Sequence, residues 1–433
     1  MKSHAKILKL IRNFVFSLEF LNASRVSEKH FTRKRSLPFP TLILFLINFL
    51  KGSLKDELDW FFMFLKQSQI PDQFVSKSAL CQARQKLKPD TFRTLNKKFI
   101  DIAYEQQSNL LFWRSHRLIA ADGSSILVPD VKAIIEHFGC SKNSVGTATP
   151  MAKVLALYDP LNGYVVDCEI GPFKSDERKQ LYSMLDCLSP NDLLLLDRGF
   201  PAYWIFSAAI SRQINFTCRL PVGKWKAARE LISSGKKEQI ITLKADSKNK
   251  KICRTFGIPT PPLNIRILQI PLDNSESEVL VTSLTDCHKY PYEEFKELYF
   301  KRWWIEEDFK LLKSRLKVEH FTGVTPLTVY QDIHAKLFAK NVAALLRSLP
   351  DQILGAEVPD RKYPYQTNRT QVISKLKNTI VSLFCVSFQK LEKLLSSLYF
   401  AFIETAEPIR KNRKYPRKRK KRTGFAVQYK PTR

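Results

Sequence analysis

Residues 291–323, PYEEFKELYFKRWWIEEDFKLLKSRLKVEHFTG, set four chemically different side chains at helical spacing. At about 100° per residue, Tyr299, Arg302, Glu306 and Lys313 fall within an arc of about 60°. Leu298, Ile305, Phe309, Leu312 and Leu316 form an apolar stripe on the same helix. A phenol, a guanidinium, a carboxylate and an ammonium therefore line one polar edge of a helix anchored in a core. Glu307 and Asp308 point about 100° and 160° away from Glu306, which singles out the carboxylate at 306. A surface helix laced with salt bridges presents a similar edge, so the choice between the two readings rests on residues upstream.

Two further acids stand there. HRLIAADGSSILVP reads as a strand ending in or passing through Asp122, and DLLLLDRGF as a short buried strand ending at Asp197. Between them lie MAKVLALYD and GYVVDCEI, two strands joined by Pro160-Leu161-Asn162-Gly163, and the helix DERKQLYSMLDCL. A right-handed crossover then sets the Asp197 strand beside the Asp122 strand and parallel to it, with both acids at one end of the sheet. That is the strand order of a ribonuclease-H-like sheet. Taken singly, Asp122-Gly123 is an ordinary turn and Asp197-Arg198 an ordinary strand-end ion pair. Together with Glu306 they make three oxygen ligands suited to hard divalent cations. A pair of such cations about 3.5–4 Å apart stabilises both the entering and the leaving oxygen of a phosphoryl displacement.

The elements that must position these residues divide the chain. Residues 1–108 read as an all-α N-terminal domain: an amphipathic Ile7–Leu21, an apolar segment opened by Pro38 and Pro40, a helix capped by Ser53, and one capped by Ser76. In the last of these, Lys77, Gln82, Arg84, Gln85 and Lys86 populate one side, which suits either a helix-turn-helix reader of DNA or a plain helical bundle. Residues 109–220 form the first part of an α/β core, 221–285 a β-rich insertion, and 286–350 the second part of the core with the Tyr-Arg-Glu-Lys helix. A helical region follows at 351–405 and a basic tail at 406–433. The tail stretch 410–422 holds ten Lys or Arg among thirteen residues, a run that stays solvated until it meets phosphate.

Charge names the partner class. Lys and Arg number 71 against 41 Asp and Glu, a formal net charge of +30 in 433 residues, and a polyanion is the direct implication. The longest apolar run, Leu42 to Phe49, is too short to span a bilayer, and the basic N-terminus lacks a cleavage site, so no membrane role is expected. Eight scattered cysteines without a CxxC pair fit reduced thiols in the cytoplasm.

Beyond what composition and spacing provide, the pattern Tyr299-x2-Arg302-x3-Glu306-x6-Lys313, ADGSS around Asp122 and LLLLDRGF around Asp197 resemble the signature motifs of DDE transposases of the insertion-sequence-four family. VSKSALCQARQKL resembles that family's N-terminal domain, and the likeness covers roughly residues 35–345. The resemblance implies a cut-and-paste transposase of ribonuclease-H-like fold, in which Asp122, Asp197 and Glu306 hold two Mg²⁺ or Mn²⁺ ions. Water, and then a freed 3′-hydroxyl, would attack phosphodiesters at the element's inverted repeats and in target DNA, through a hairpin in many relatives. Arg302, Lys313, Arg198, Lys77 and Arg84 would contact DNA, and Tyr299 would contact DNA or orient the site. Trp303 would stack on a displaced base or pack in the core, and Trp225 is a second stacking candidate. The implied assembly is a homodimer on DNA, associated with the nucleoid. A repressor-like relative without catalysis and a nuclease without strand transfer are the alternatives.

Overall fold

Four consecutive leucines, Leu193–Leu196, form a strand in the interior of the sheet, and all four are buried. A run with no polar alternation fits a strand covered on both faces and paired parallel on both sides. The computed structural model describes residues 1–33, 35–50, 52–68, 75–142, 146, 148–272, 277–356, 362–377 and 379–410. In chain order the sheet's strands are β1 (Leu118–Leu127), β2 (Cys140–Lys142), β3 (Ala148–Asp159), β4 (Tyr164–Pro172), β5 (Leu193–Leu196), β6 (Asn215–Leu220), β7 (Glu238–Leu243), β8 (Leu263–Pro271) and β9 (Ser277–Thr282). They lie in the order β2-β3-β1-β5-β6-β9-β8-β7, with β4 also paired to β3. β5 runs parallel to β1, as the order of strands and helices predicts, and its other edge pairs parallel with β6. β6, β9, β8 and β7 pair antiparallel in turn. This is a large mixed sheet of ribonuclease-H-like order.

The chain divides into two compact units. One comprises residues 111–125 and 153–309 and holds most of the sheet. Its hairpin between β3 and β4 is closed by the fully buried Asp159. That carboxylate accepts from Leu161 N at 2.9 Å, Asn162 N at 3.0 Å and Asn162 Nδ2 at 2.7 Å, and Gly163 takes φ 75° to complete the turn. The 221–285 segment is not a β structure of its own. β7, β8 and β9 extend the main sheet through β6, and the segment also carries helices Lys226–Ser233 and Ser247–Phe256. Alternating patterns announce strands but not the edge they join, and β6 offers an open edge that β9 fills.

The other unit comprises residues 1–110, 126–152 and 310–433 and is mostly helical over its described residues. Its longest helix, Pro326–Gly355, starts with a capping box of Thr325 and Thr328 and is buried almost all round from Val329 to Leu346. Ser53 and Ser76 cap their helices as expected, accepting from Asp56 N at 3.3 Å and Ala79 N at 3.1 Å. The predicted Ile7–Leu21 helix is two helices, Lys2–Val15 and Leu18–Ser24, separated because Ser17 caps the second. Buried polar groups here meet partners: Arg84 with Asp332 at 2.8 Å, Lys377 with Glu57 at 2.7 Å, and Lys336 Nζ with the carbonyls of Lys317 and His320 at 2.7 and 2.8 Å.

The expected long helix over 291–323 is shorter and jointed. Glu294–Phe300 is α-helical, Lys301–Trp303 tightens to a 3-10 turn, and Trp304–Ser314 resumes the α-helix. It stops there because the chain turns at Lys317, which takes φ 50°. Among the described residues no helix is long and apolar enough to cross a membrane, and all eight cysteines are free. The basic tail from 411 onward lies outside the described residues.

Candidate active site at the end of the mixed sheet

Strand register brings the first two acids level. Ala121 pairs with Leu196, and Leu196 with Cys218, on three adjacent parallel strands. The next residues are Asp122, Asp197 and Arg219. With strands about 4.8 Å apart, that level sets the three side chains in a row on one face of the sheet. β1 passes through Asp122, whereas β5 ends one residue before Asp197. Asp122 Oδ1 accepts from Gly123 N at 2.9 Å. A Cβ on Gly123 would lie 2.2 Å from Glu177 Oε1, and Glu177 is held by Lys153 at 3.0 Å, so a larger residue there would break that pair. The loop after Asp197 is fixed by Arg178 Nε, which donates to Gly199 O at 2.9 Å.

The third acid comes from the jointed helix. Tyr299 is buried, and its hydroxyl donates to Leu196 O at 3.2 Å, which seats the helix on the end of β5. Burial, ahead of the neighbouring charges, pushes this phenol's pKa up. Of the two roles the sequence left open for Tyr299, contacting DNA or orienting the site, the bond to Leu196 O favours the second. Arg302 lies over the Tyr299 ring, 5.7 Å from its centre, and its Nη2 donates to Glu306 Oε1 at 3.1 Å. Both sit one turn apart, as the spacing predicts.

Electrostatics tie the pieces together. Burial raises the Asp122 carboxyl to about 6; Arg302 and the Gly123 N–H oppose this, and the charges of Glu306 and Asp197 add to it. Burial works against the Arg302 charge, but Tyr299, Asp197, Glu306 and Asp122 outweigh it and hold the guanidinium protonated. Arg302 is 7% exposed, yet its buried Nε–H has no hydrogen-bond partner among the described residues. A buried donor left open amid carboxylates is costly unless an anionic acceptor completes it.

Three oxygen-donor carboxylates, with Asp122 raised first by burial and further by the charges of Glu306 and Asp197, fit a hard divalent cation in chemistry. Among the described residues, no group of three acidic, His or Cys side chains is already drawn together as a metal-holding cluster. Arg302, paired to Glu306, supplies the positive charge among the acids.

The remaining expected residues are distributed as follows. Trp303, next to Arg302, is 42% exposed, and Arg198 is exposed directly after Asp197. Lys313 lies in the last turn of the Trp304–Ser314 helix, in the portion assigned to the helical unit. Lys77 is exposed at the start of its helix, Lys77–Arg84. Arg84 is not a groove reader. Its guanidinium is 2% exposed and occupied by Gln331 at 2.9 Å, Asp332 at 2.8 Å and Thr322, so it clamps helices together. Trp225 is half-buried, its ring 6.1 Å from that of Phe206.

Sequence reasoning missed Arg219 and its partner Glu278, 3.1 Å away on β9. Burial pushes the Glu278 carboxyl up, Arg219 and Arg302 pull it back, and Asp197 adds to the rise. Aligning the start of NFTCRL with the start of LLLL would have found Arg219 level with Asp197; nothing local marks Glu278.

The chain is similar to proteins already described. The relative "Transposase InsG for insertion sequence element IS4" of Escherichia coli (strain K12) is 22% identical over 352 residues, 81% of this chain and 77% of that protein. "Putative transposase InsZ" of the same organism is 24% identical over 164 residues, 37% of this chain and 54% of that protein. Among solved structures, a piggyBac transposase synaptic complex with hairpin DNA covers 90% of this chain and 85% of that one, at 8% identity and a TM-score of 0.47. The family model described as "Transposase DDE domain" matches residues 113–342, more than half of the chain, and the chain accordingly belongs to the DDE transposases, of the insertion-sequence-four type.

Proposed function

We propose that this DNA transposase binds the terminal inverted repeats of its insertion element, cleaves the ends, and transfers the 3′-hydroxyl to target DNA. The observation that carries this reading is the common level of Asp122 and Asp197, with the charge of Arg302 acting on both and that of Glu306 acting on Asp122. Asp122, Asp197 and Glu306 would hold divalent cations, Mg²⁺ or Mn²⁺ and two per site. Bound there, the cations would neutralise charge on the attacking and leaving oxygens of an in-line displacement. Arg302 offers its open Nε–H to a phosphate oxygen beside the scissile bond, and Arg198 and Lys313 add positive charge along the strand. As a phosphate takes Arg302, Glu306 loses its cationic partner and becomes available as a ligand. Tyr299 keeps the helix seated while this happens. Trp303, with its exposed ring, suits stacking on an unpaired base.

Lys77 and the basic tail from Arg410 to Arg422 would add salt-sensitive affinity for duplex DNA. Bringing two ends together calls for a homodimer on DNA, working at the nucleoid. The proposed domains are those of the sequence reading: a DNA-binding 1–108, a catalytic core over 109–220 and 286–350 interrupted by 221–285, a helical 351–405 and a basic tail.

The test is a single-turnover assay on a duplex carrying the element's own end. Asp122→Ala, Asp197→Ala and Glu306→Ala should each lower metal-dependent cleavage by about a thousandfold or more, in the range of losing a principal electrostatic catalyst, while end binding survives. Cleavage that persists in any of the three rejects the assignment. A pre-cleaved end that is never joined to target DNA would make the protein a nuclease, and binding without cleavage by the wild type would make it a repressor-like relative.

A further inference from the structure

The sheet end holds a fourth acid that the reaction does not call for. Glu278 lies at the start of β9, and the antiparallel register with β6 matches Arg219 to Leu280. Residues two apart on a strand share a face, so Glu278 is the diagonal neighbour of Arg219 on the same face of the sheet. The pairing of Thr217 with Thr282 on that face is visible directly, since their hydroxyls meet at 3.1 Å. Arg219 in turn stands level with Asp197 on the adjacent strand. Arg219 Nε meets Glu278 Oε2 at 3.1 Å, with side-chain exposures of 37% and 13%. The ion pair engages the guanidinium through Nε and leaves the two Nη groups as donors. A half-buried acid on the face where a polyanion must dock repels that polyanion. Its presence is costly unless it organises a cation that binds.

We propose that Glu278 is a positioning residue, holding Arg219 beside Asp197 so that the Nη groups of Arg219 meet a phosphate of the DNA in the active site. This rests on the transposase reading but adds to it two residues that lie outside the acid triad and the Tyr-Arg-Glu-Lys helix. No bond to Glu278 is made or broken in the reaction.

The experiment measures duplex affinity against salt, without cleavage. The probe is a short linear duplex cut from the DNA flanking this chain's own reading frame, in Ca²⁺-free, Mg²⁺-free buffer. Arg219→Gln should weaken binding about tenfold and reduce the log–log salt slope by about 0.9, the signature of one lost phosphate contact. Glu278→Ala should do nearly the same. Glu278→Gln keeps an oxygen for the Arg219 Nε–H and should lose about two- to threefold, rescuing most of the effect. Adding Glu278→Ala to Arg219→Gln should cost nothing further, because the two act through one contact. An acid that is only a strand-end ion pair gives the opposite sign: its removal raises net charge and tightens binding. Equal or tighter binding by Glu278→Ala or Glu278→Gln therefore overturns the proposal, and the Gln variant decides if the Ala variant does not fold. Failure of the transposase reading shows separately, as wild-type protein that binds this duplex but never cuts it with Mg²⁺ present.

Discussion

Two sets of buried charges in this chain behave differently. In the helical unit, the Arg84 guanidinium meets a carboxylate, an amide oxygen and a hydroxyl, and Lys377 meets both oxygens of Glu57. At the end of the sheet, the Asp122 carboxyl is driven up to about 6 and the buried Nε–H of Arg302 has no acceptor among the described residues. The first set is paired, and the second leaves a donor open and a carboxyl out of its ordinary range. The lesson is that closure of the hydrogen-bond account, more than burial itself, separates charges that hold a fold from charges that await a ligand.

The sharpest way to break the comparison is Arg84→Ala. It strands Asp332 and Gln331 in the core and should cost about 3–5 kcal/mol of stability, the usual consequence of opening a buried pair. Denaturant unfolding measures it, and a loss under about 1 kcal/mol would mean that these contacts are as incomplete as those at the sheet end. The second prediction concerns Asp122 and runs the other way. Its folded-state pKa is raised, so the folded protein binds that proton more tightly than the unfolded chain does. The stability this contributes is present below about pH 4 and is lost as pH rises through about 6. Asp122→Asn should therefore stabilise the metal-free protein by about 1–2 kcal/mol at pH 7 and by nothing near pH 4, after allowance for partial exposure. Unfolding curves of both proteins across that range decide it; a destabilised Asn variant at neutral pH would place Asp122 among the satisfied charges. The smallest expected effect is that of Lys77→Gln. An exposed lysine on the Lys77–Arg84 helix should leave stability within about 0.5 kcal/mol, while lowering the salt slope of duplex binding by about one contact. An unchanged slope would remove that helix from the DNA-facing surface.

The acids were legible in the sequence because each is marked by its local setting. LLLL before Asp197 can only be a covered strand, and the strand–hairpin–helix–strand order then sets β5 beside β1. Glu306 was legible from its spacing to Arg302, which survives the 3-10 turn at Lys301–Trp303. Arg84 was misread, and the role of Tyr299 was left open, for a common reason. Spacing reports which face of a helix a residue occupies, not whether that face meets water or another element. The polar side of Lys77–Arg84 carries Arg84 onto Asp332, and the polar edge of Glu294–Phe300 carries Tyr299 onto a strand-end carbonyl. The fate of residues 221–285 was hidden because strand pairing is non-local: nothing within Ser277–Thr282 says that it adds to β6.

The four leucines of β5 measure distance as much as they fill space. Each pairs with a residue of β1 from Leu118 to Ala121, so the count of residues before Asp197 sets its height against Asp122. Exchanging a leucine for isoleucine or valine alters packing by about a methyl group's worth of energy. Deleting one, or adding a fifth, shifts the register by a residue and turns Asp197 to the opposite side of the sheet. The composition of this ruler is negotiable, and its length is not.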